Sequence, residues 1–126
     1  MTATASPKVL LVEDTALVSM MIETVIEDMG WTVVGPMERL NTALAAARDE
    51  TADAAIVDVN LAGEAAWEVA SILHERGIPF IFTTGYGDQA QRPPELAAAP
   101  MLGKPFQVAD LEDWLRTAVP HASAGQ

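Results

Sequence analysis

The chain of 126 residues carries 7 basic and 18 acidic side chains, a net charge of −11, no cysteine and 50% hydrophobic residues. That length suits one domain able to bury roughly two-thirds of its unfolded surface, with no comfortable room for two. The missing cysteine excludes a disulfide framework, a zinc–thiolate site and a cysteine nucleophile. The bases lie at least nine residues apart along the chain, so no basic patch is visible and no direct nucleic-acid partner is expected. No apolar run approaches the ~20 residues needed to cross a bilayer, and the first seven residues lack the charged and apolar regions of a signal peptide; the expectation is a cytoplasmic protein without a membrane partner.

Lys8 to Val12 is a continuous apolar run ending at two acids, the pattern of a strand buried on both faces of a parallel sheet. Leu17, Met21, Val25 and Met29, with Val18 and Ile22, form an i, i+4 stripe that predicts a helix from Thr15 to Met29, stopped by Gly30. Trp31 to Val34 reads as a second strand closed by Gly35-Pro36, followed by a helix with Leu40, Leu44 and Ala47 on one face. Ala54 to Val57 is a third strand ending at Asp58, and after a loop containing Gly63, Glu64 to Arg76 reads as a helix. Ile78 to Thr84 is a fourth strand and Met101 to Gly103 a short fifth; Val108 to Val119 forms the last helix. Between the last two strands, Pro93-Pro94 limits the chain to a short helix and irregular structure. The alternation implies a β-α unit repeated five times with right-handed crossovers, and sites in such sheets lie beyond the carboxyl ends of the strands.

Those ends carry Glu13-Asp14, Asp58, Thr84 and Lys104-Pro105. Three neighbouring carboxylates need a counter-charge, because like charges at ~4 Å repel by several kcal/mol at protein-like dielectric. Donors that are all oxygen favour a hard divalent ion, Mg²⁺ by preference, with Mn²⁺ able to substitute. A magnesium ion beside an exposed carboxylate, a lysine and a hydroxyl is equipment for phosphoryl transfer, with Asp58 as the nucleophile that forms an acyl phosphate.

With VEDT at Val12–Thr15, VDVNLAGE at Val57–Glu64, FTTGYG at Phe82–Gly87 and GKPF at Gly103–Phe106, the chain resembles the receiver domains of two-component response regulators over about Lys8 to Val119. The resemblance implies an α/β flavodoxin-like, doubly wound (βα)5 three-layer sandwich whose five-stranded parallel sheet has the order 2-1-3-4-5. It divides the chain into an N-terminal extension (1–7), the receiver domain (8–119) and a tail (120–126) too short for an output domain. It also implies that Asp58 accepts phosphate from a histidine kinase or histidine phosphotransfer protein. Asp14 and Asp58 would bind Mg²⁺ directly, Glu13 directly or through water, and Asn60 through its backbone carbonyl. Lys104 would bind the phosphoryl group. Thr84 would be the switch hydroxyl because it precedes the small Gly85, with Thr83 as the alternative.

Receivers commonly carry an aromatic residue three positions before the lysine; here it is Met101, and the single tyrosine stands at Tyr86. The segment resembles the single-domain receivers with a Phe-Ala-Thr-Gly-Tyr motif, common in alphaproteobacteria, with Thr83 in place of alanine. Tyr86 and Met101 are therefore the candidate switch residues, repacking as Gly85 to Pro94 reorders. The resemblance places kinase docking on the first helix near Leu17 to Met21 and output on the fourth helix, fifth strand and fifth helix. The downstream protein is unassigned, and the domain is a monomer or a phosphorylation-linked dimer. Trp31, Trp67 and Trp114 read as packing residues, and His74 as solvated surface. Two other readings use the same residues: a Mg-dependent phosphohydrolase of the haloacid dehalogenase type, against which Asn60 stands where that family places an acid, and a receiver-like scaffold that is never phosphorylated.

Overall fold

The computed structural model describes residues 6–85 and 92–120. In chain order the elements are β1 (Lys8–Val12), α1 (Ala16–Asp28), β2 (Thr32–Met37), α2 (Leu40–Asp49), β3 (Ala54–Asp58), β4 (Asn60–Leu61), β5 (Glu64–Ala65), α3 (Trp67–Glu75), β6 (Phe80–Thr84), a 3-10 turn (Pro94–Leu96), β7 (Met101–Gly103) and α4 (Val108–Ala118). Five strands pair in parallel in the order β2-β1-β3-β6-β7, the expected 2-1-3-4-5 arrangement of a flavodoxin-like sheet. No described helix is long and apolar enough to cross a membrane.

Every residue of β1 and β3 except Lys8 is buried, as continuous apolar runs in a sheet covered on both faces must be. Alternation then divides their side chains between two cores. Leu10, Val12, Ala55, Val57 and Phe82 meet Ala43, Ala47, Val69 and Leu73 of α2 and α3 on one face. Val9, Leu11, Ile56 and Ile81 meet Ile22, Ile26, Leu111 and Leu115 of α1 and α4 on the other. Trp31 is buried, Trp67 meets Phe82 edge-to-face at 5.2 Å, Trp114 packs against the second core, and His74 is exposed.

Three local features depart from the sequence reading. α1 is rotated about its axis, so that Ile22, Val25 and Ile26 face the sheet while Leu17, 78% exposed, stands outside with Met20, 60% exposed. The apolar arc of this helix is wide, and periodicity locates the arc without locating the sheet beneath it. β4 and β5 pair as an antiparallel hairpin in place of the expected loop and of the first residues of the helix expected from Glu64, which begins at Trp67 instead; Ala62 and Gly63 take left-handed φ values of 53° and 89° at the hairpin tip.

The described residues hold four α-helices; the short helix expected near Gly87 lies outside them. Ahead of β7 the chain is irregular as expected: Pro93 is extended ahead of Pro94, and a 3-10 turn follows. Arg92 fastens that turn: its guanidinium donates to the carbonyls of Leu96, Ala97 and Ala99 at 2.9, 2.8 and 2.5 Å and lies 6.0 Å from the Phe82 ring centroid.

β2 does not stop at Gly35-Pro36. The edge strand continues through a register shift to Met37, whose carbonyl accepts the Glu13 amide at 3.1 Å. Gly35 makes this possible: φ is 120°, and a Cβ there would come within 2.6 Å of the Leu11 carbonyl oxygen. Gly77 also has positive φ, 74°, but a Cβ there meets nothing within 4 Å. Gly35→Ala is therefore expected to cost about 2 kcal/mol or more, a drop in Tm of roughly 5 °C or more, while Gly77→Ala costs about 1 kcal/mol. Thermal melts of both variants test this; equal losses would contradict the close approach at Gly35.

Candidate functional site

At the carboxyl edge of the sheet, the extension of β2 anchors the backbone at Glu13, and β3 ends on Asp58. The backbone ladder continues past the strands through Val59 N–H to Thr83 O at 2.9 Å and Lys104 N–H to Thr84 O at 2.8 Å. Three strand ends are thereby held in register. The Lys104 ammonium reaches across to lie 3.0 Å from Asp58 Oδ2, and 3.2 Å and 3.3 Å from the two oxygens of Glu13. The contact to Glu13 Oε2 has hydrogen-bond geometry; Oε1 has the ion pair without a directed bond.

The remaining bonds set the orientation of each acid. Asp58 Oδ1 accepts the Asn60 amide at 3.1 Å, and Glu13 Oε2 accepts the Thr15 amide, just before α1, at 3.1 Å. Asp14 accepts the Ala62 amide at 2.8 Å, tying the hairpin tip to the site, while Asn60 Oδ1 accepts the Gly63 amide at 2.8 Å and shapes the turn. One oxygen from each of Glu13, Asp14 and Asp58 lies within 4.8 Å of the others.

Glu13 and Asp58 are 1% and 2% exposed, Asp14 is half-buried, and the Lys104 side chain is 23% exposed. Asp58 is thus not the exposed carboxylate expected from the sequence: Lys104 lies against it. Thr84 is buried and its hydroxyl donates to the Gly85 carbonyl at 3.0 Å. Thr83 is fully buried, and its hydroxyl has no partner among the described residues. Met101 is half-buried against the α2/α3 core and pairs in register with Phe82. Asn60 is exposed at the start of the hairpin. Tyr86 lies outside the described residues. The anchoring roles of Met37 and Ala62 have no sequence signal, because both act through backbone groups.

Burial pushes the Asp58 carboxyl up from 3.8 to about 7; Lys104 opposes the rise and the charge of Glu13 adds to it. Burial acts to lower the Lys104 ammonium, but its bonds to Asp58 and Glu13 outweigh that and hold it above its ordinary range. With three carboxylates against one ammonium, the ionised group carries two excess negative charges in a mostly buried place. Hard oxygen donors and that excess fit a divalent cation of the magnesium type.

Because the native Asp58 holds its proton to higher pH than the unfolded one, its contribution to stability is full below about 4 and is lost as pH rises to about 7. In EDTA, the stability gained by Asp58→Asn over wild type should therefore grow across this interval and level off above it, reaching ~4 kcal/mol at most. Denaturant titrations at a series of pH values measure the difference. A difference flat with pH would contradict the burial-driven rise.

The family of response regulator receiver domains matches residues 9–116. The solution structure of SdrG from Sphingomonas melonis Fr1 is 37% identical, with a TM-score of 0.79 over 93% of this chain and 99% of that one. The receiver domain of the Erythrobacter litoralis response regulator PhyR is 25% identical, with a TM-score of 0.74 over 91% of each chain. The receiver domain of sensor histidine kinase PA1611 from Pseudomonas aeruginosa PAO1 is 24% identical and shares the fold, with a TM-score of 0.78 over 92% of this chain and 99% of that one; that protein holds a magnesium ion in its active site cleft. No curated protein sequence matches this chain. Sheet order and family match agree over nearly the same span, and the chain belongs to the response regulator receiver domains of two-component systems.

Proposed function

We propose that this receiver is a phosphoacceptor whose Asp58 takes a phosphoryl group from the phosphohistidine of a histidine kinase or histidine phosphotransfer protein. The observation that carries this reading is the ammonium of Lys104 shared between Asp58 and Glu13, with Asp14 completing a carboxylate cluster at the sheet edge. Asp14 and Asp58 would hold Mg²⁺ directly, Glu13 directly or through water, and Asn60 through its backbone carbonyl; Mn²⁺ has the same preference for oxygen. When bound, the ion supplies positive charge for phosphoryl oxygens and replaces the proton on Asp58.

In the transfer, a carboxylate oxygen of Asp58 attacks phosphorus while the P–N bond breaks and its electron pair returns to the imidazole nitrogen. Asn60 N–H, bonded to Oδ1, fixes the plane of the attacking group. Lys104 moves from Asp58 Oδ2 to the phosphoryl oxygens, uncovering the acid as it neutralises incoming charge. Thr84 exchanges its bond to the Gly85 carbonyl for one to a phosphoryl oxygen. Met101 in place of an aromatic residue supports membership of the Phe-Ala-Thr-Gly-Tyr subgroup and a switch located in the segment after β6; Tyr86 is part of that reading. The exposed Leu17 and Met20 on α1, the helix that begins just after Asp14, suit docking of a phosphodonor protein.

Incubation with acetyl phosphate and Mg²⁺, followed by intact-mass measurement, is expected to add one phosphoryl group to wild type. EDTA and Asp58→Asn should each abolish the addition, and Lys104→Ala should slow it roughly 100-fold. No added mass in wild type, or mass retained by Asp58→Asn, would overturn the assignment. Leu17→Ala/Met20→Ala should keep the acetyl phosphate reaction and slow transfer from a phosphorylated kinase; loss of both reactions would contradict a docking role.

A further inference from the structure

Glu13, Asp58, Thr83 and Lys104 form a row along the carboxyl edge on one face of the sheet. The strand neighbours establish the face: Leu11, Ile56, Ile81 and Leu102, each two residues earlier in the same chain segment, all belong to the α1/α4 core. Thr84 alternates to the other face with Phe82, which belongs to the α2/α3 core. Asp58 and Thr83 are register partners on adjacent strands, so their side chains stand side by side. To reach Asp58 on β3 from the end of β7, Lys104 must cross β6, the strand that carries Thr83. Three members of the row are bonded to one another. Thr83, with 0% exposure and no partner for its hydroxyl among the described residues, is the fourth.

Buried hydroxyls are seldom left without a bond, and those that are call for an explanation. Resting Asp58 has one donor on each oxygen, Asn60 N–H and the Lys104 ammonium. Once Lys104 turns to a phosphoryl group, Oδ2 of Asp58 loses that donor in a mostly buried place. Thr83, its register partner, is a neighbouring hydroxyl able to replace it.

We propose that Thr83 is a positioning residue for the phosphoacceptor, its hydroxyl donating to the Asp58 acyl group, directly or through one buried water, when Lys104 is engaged with the phosphoryl group. The inference rests on the phosphoacceptor reading of Asp58. Its consequence falls on loss of phosphate. A water oxygen attacks phosphorus, the bond between phosphorus and the Asp58 oxygen breaks, and its electron pair remains on the carboxylate; the water's protons pass to solvent and to the inorganic phosphate formed. A donor held beside Asp58 stabilises the charge growing on that leaving carboxylate. Thr83 therefore shortens the life of the acyl phosphate.

Thr83→Val keeps the shape and removes the donor; Thr83→Ser keeps the donor. Wild type and the variants Thr83→Val, Thr83→Ala and Thr83→Ser are phosphorylated with acetyl phosphate and Mg²⁺, freed of the donor, and followed by intact mass. Thr83→Val and Thr83→Ala should lose phosphate roughly 3- to 10-fold more slowly, the range that one net hydrogen bond supplies. Thr83→Ser should remain within about twofold of wild type, since it retains the bond. Lifetimes equal in wild type and Thr83→Val, or a Thr83→Ser lifetime that follows Thr83→Val, would overturn the proposal. Thermal melts run alongside separate the roles: a hydroxyl with no task predicts an equal or higher Tm for Thr83→Val and an unchanged lifetime. Failure of wild type to gain phosphoryl mass would instead overturn the reading of Asp58 beneath it, before any variant is compared.

Discussion

One ammonium group governs this edge of the molecule. Lys104 stands 3.0 Å from Asp58 and 3.2 Å from Glu13, both almost wholly buried. Removing one partner of a buried ion pair typically costs ~3–5 kcal/mol, because a charge is left without compensation. Here one cation serves two acids, with a third beside them, so the compensation is incomplete by construction. Burial raises the Asp58 carboxyl and the charge of Glu13 adds to the rise, so that in the absence of other cations a proton supplies part of the missing charge near neutral pH. The charge of such a site suits a divalent ion, and in the proposed transfer a phosphoryl group would then draw the ammonium away from its resting partners.

The fold makes the arrangement rigid where chemistry needs it. The two central strands are held on both sides by parallel ladders, and the backbone bonds from Val59 to Thr83 and from Lys104 to Thr84 carry the alignment to the last residues. Two outlying features finish the site. The bulged extension of β2 holds Glu13 by its backbone, and the hairpin after β3 is tied to Asp14 through the Ala62 amide. Ala62 adopts a left-handed conformation that costs an alanine of order 1 kcal/mol, and its bond to Asp14 helps to hold the turn.

Much of this was readable from residues. β1 and β3 announce themselves because strands buried on both faces are apolar without interruption, and the strand-end rule then gathers Glu13, Asp14, Asp58, Thr84 and Lys104 with no further information. What escaped the sequence depends on relations that a linear pattern does not carry. The rotation of α1, which expels Leu17, depends on which part of a wide apolar arc meets the sheet. The continuation of β2 beyond Gly35-Pro36 depends on a register shift at an edge, where proline is tolerated. The β4–β5 hairpin is two residues per strand and turns on Ala-Gly, a weak signal. Adjacent Thr83 and Thr84 look interchangeable until alternation assigns them to opposite faces, one with Asp58 and one with the α2/α3 core. The burial of Asp58 is a matter of where the Lys104 side chain lies.

On phosphorylation, Lys104 is expected to exchange its resting carboxylate for the phosphoryl group on Asp58. The most direct measurement is a crystal structure grown with Mg²⁺ and beryllium trifluoride, a phosphoryl mimic that attaches to carboxylates. The mimic is expected on Asp58, the metal against Asp14 and Asp58, and Lys104 Nζ displaced from the 3.0 Å contact with Oδ2 to a fluoride. A mimic bound to another residue, or a Lys104 that keeps its bond to Asp58 while the mimic is in place, would contradict it.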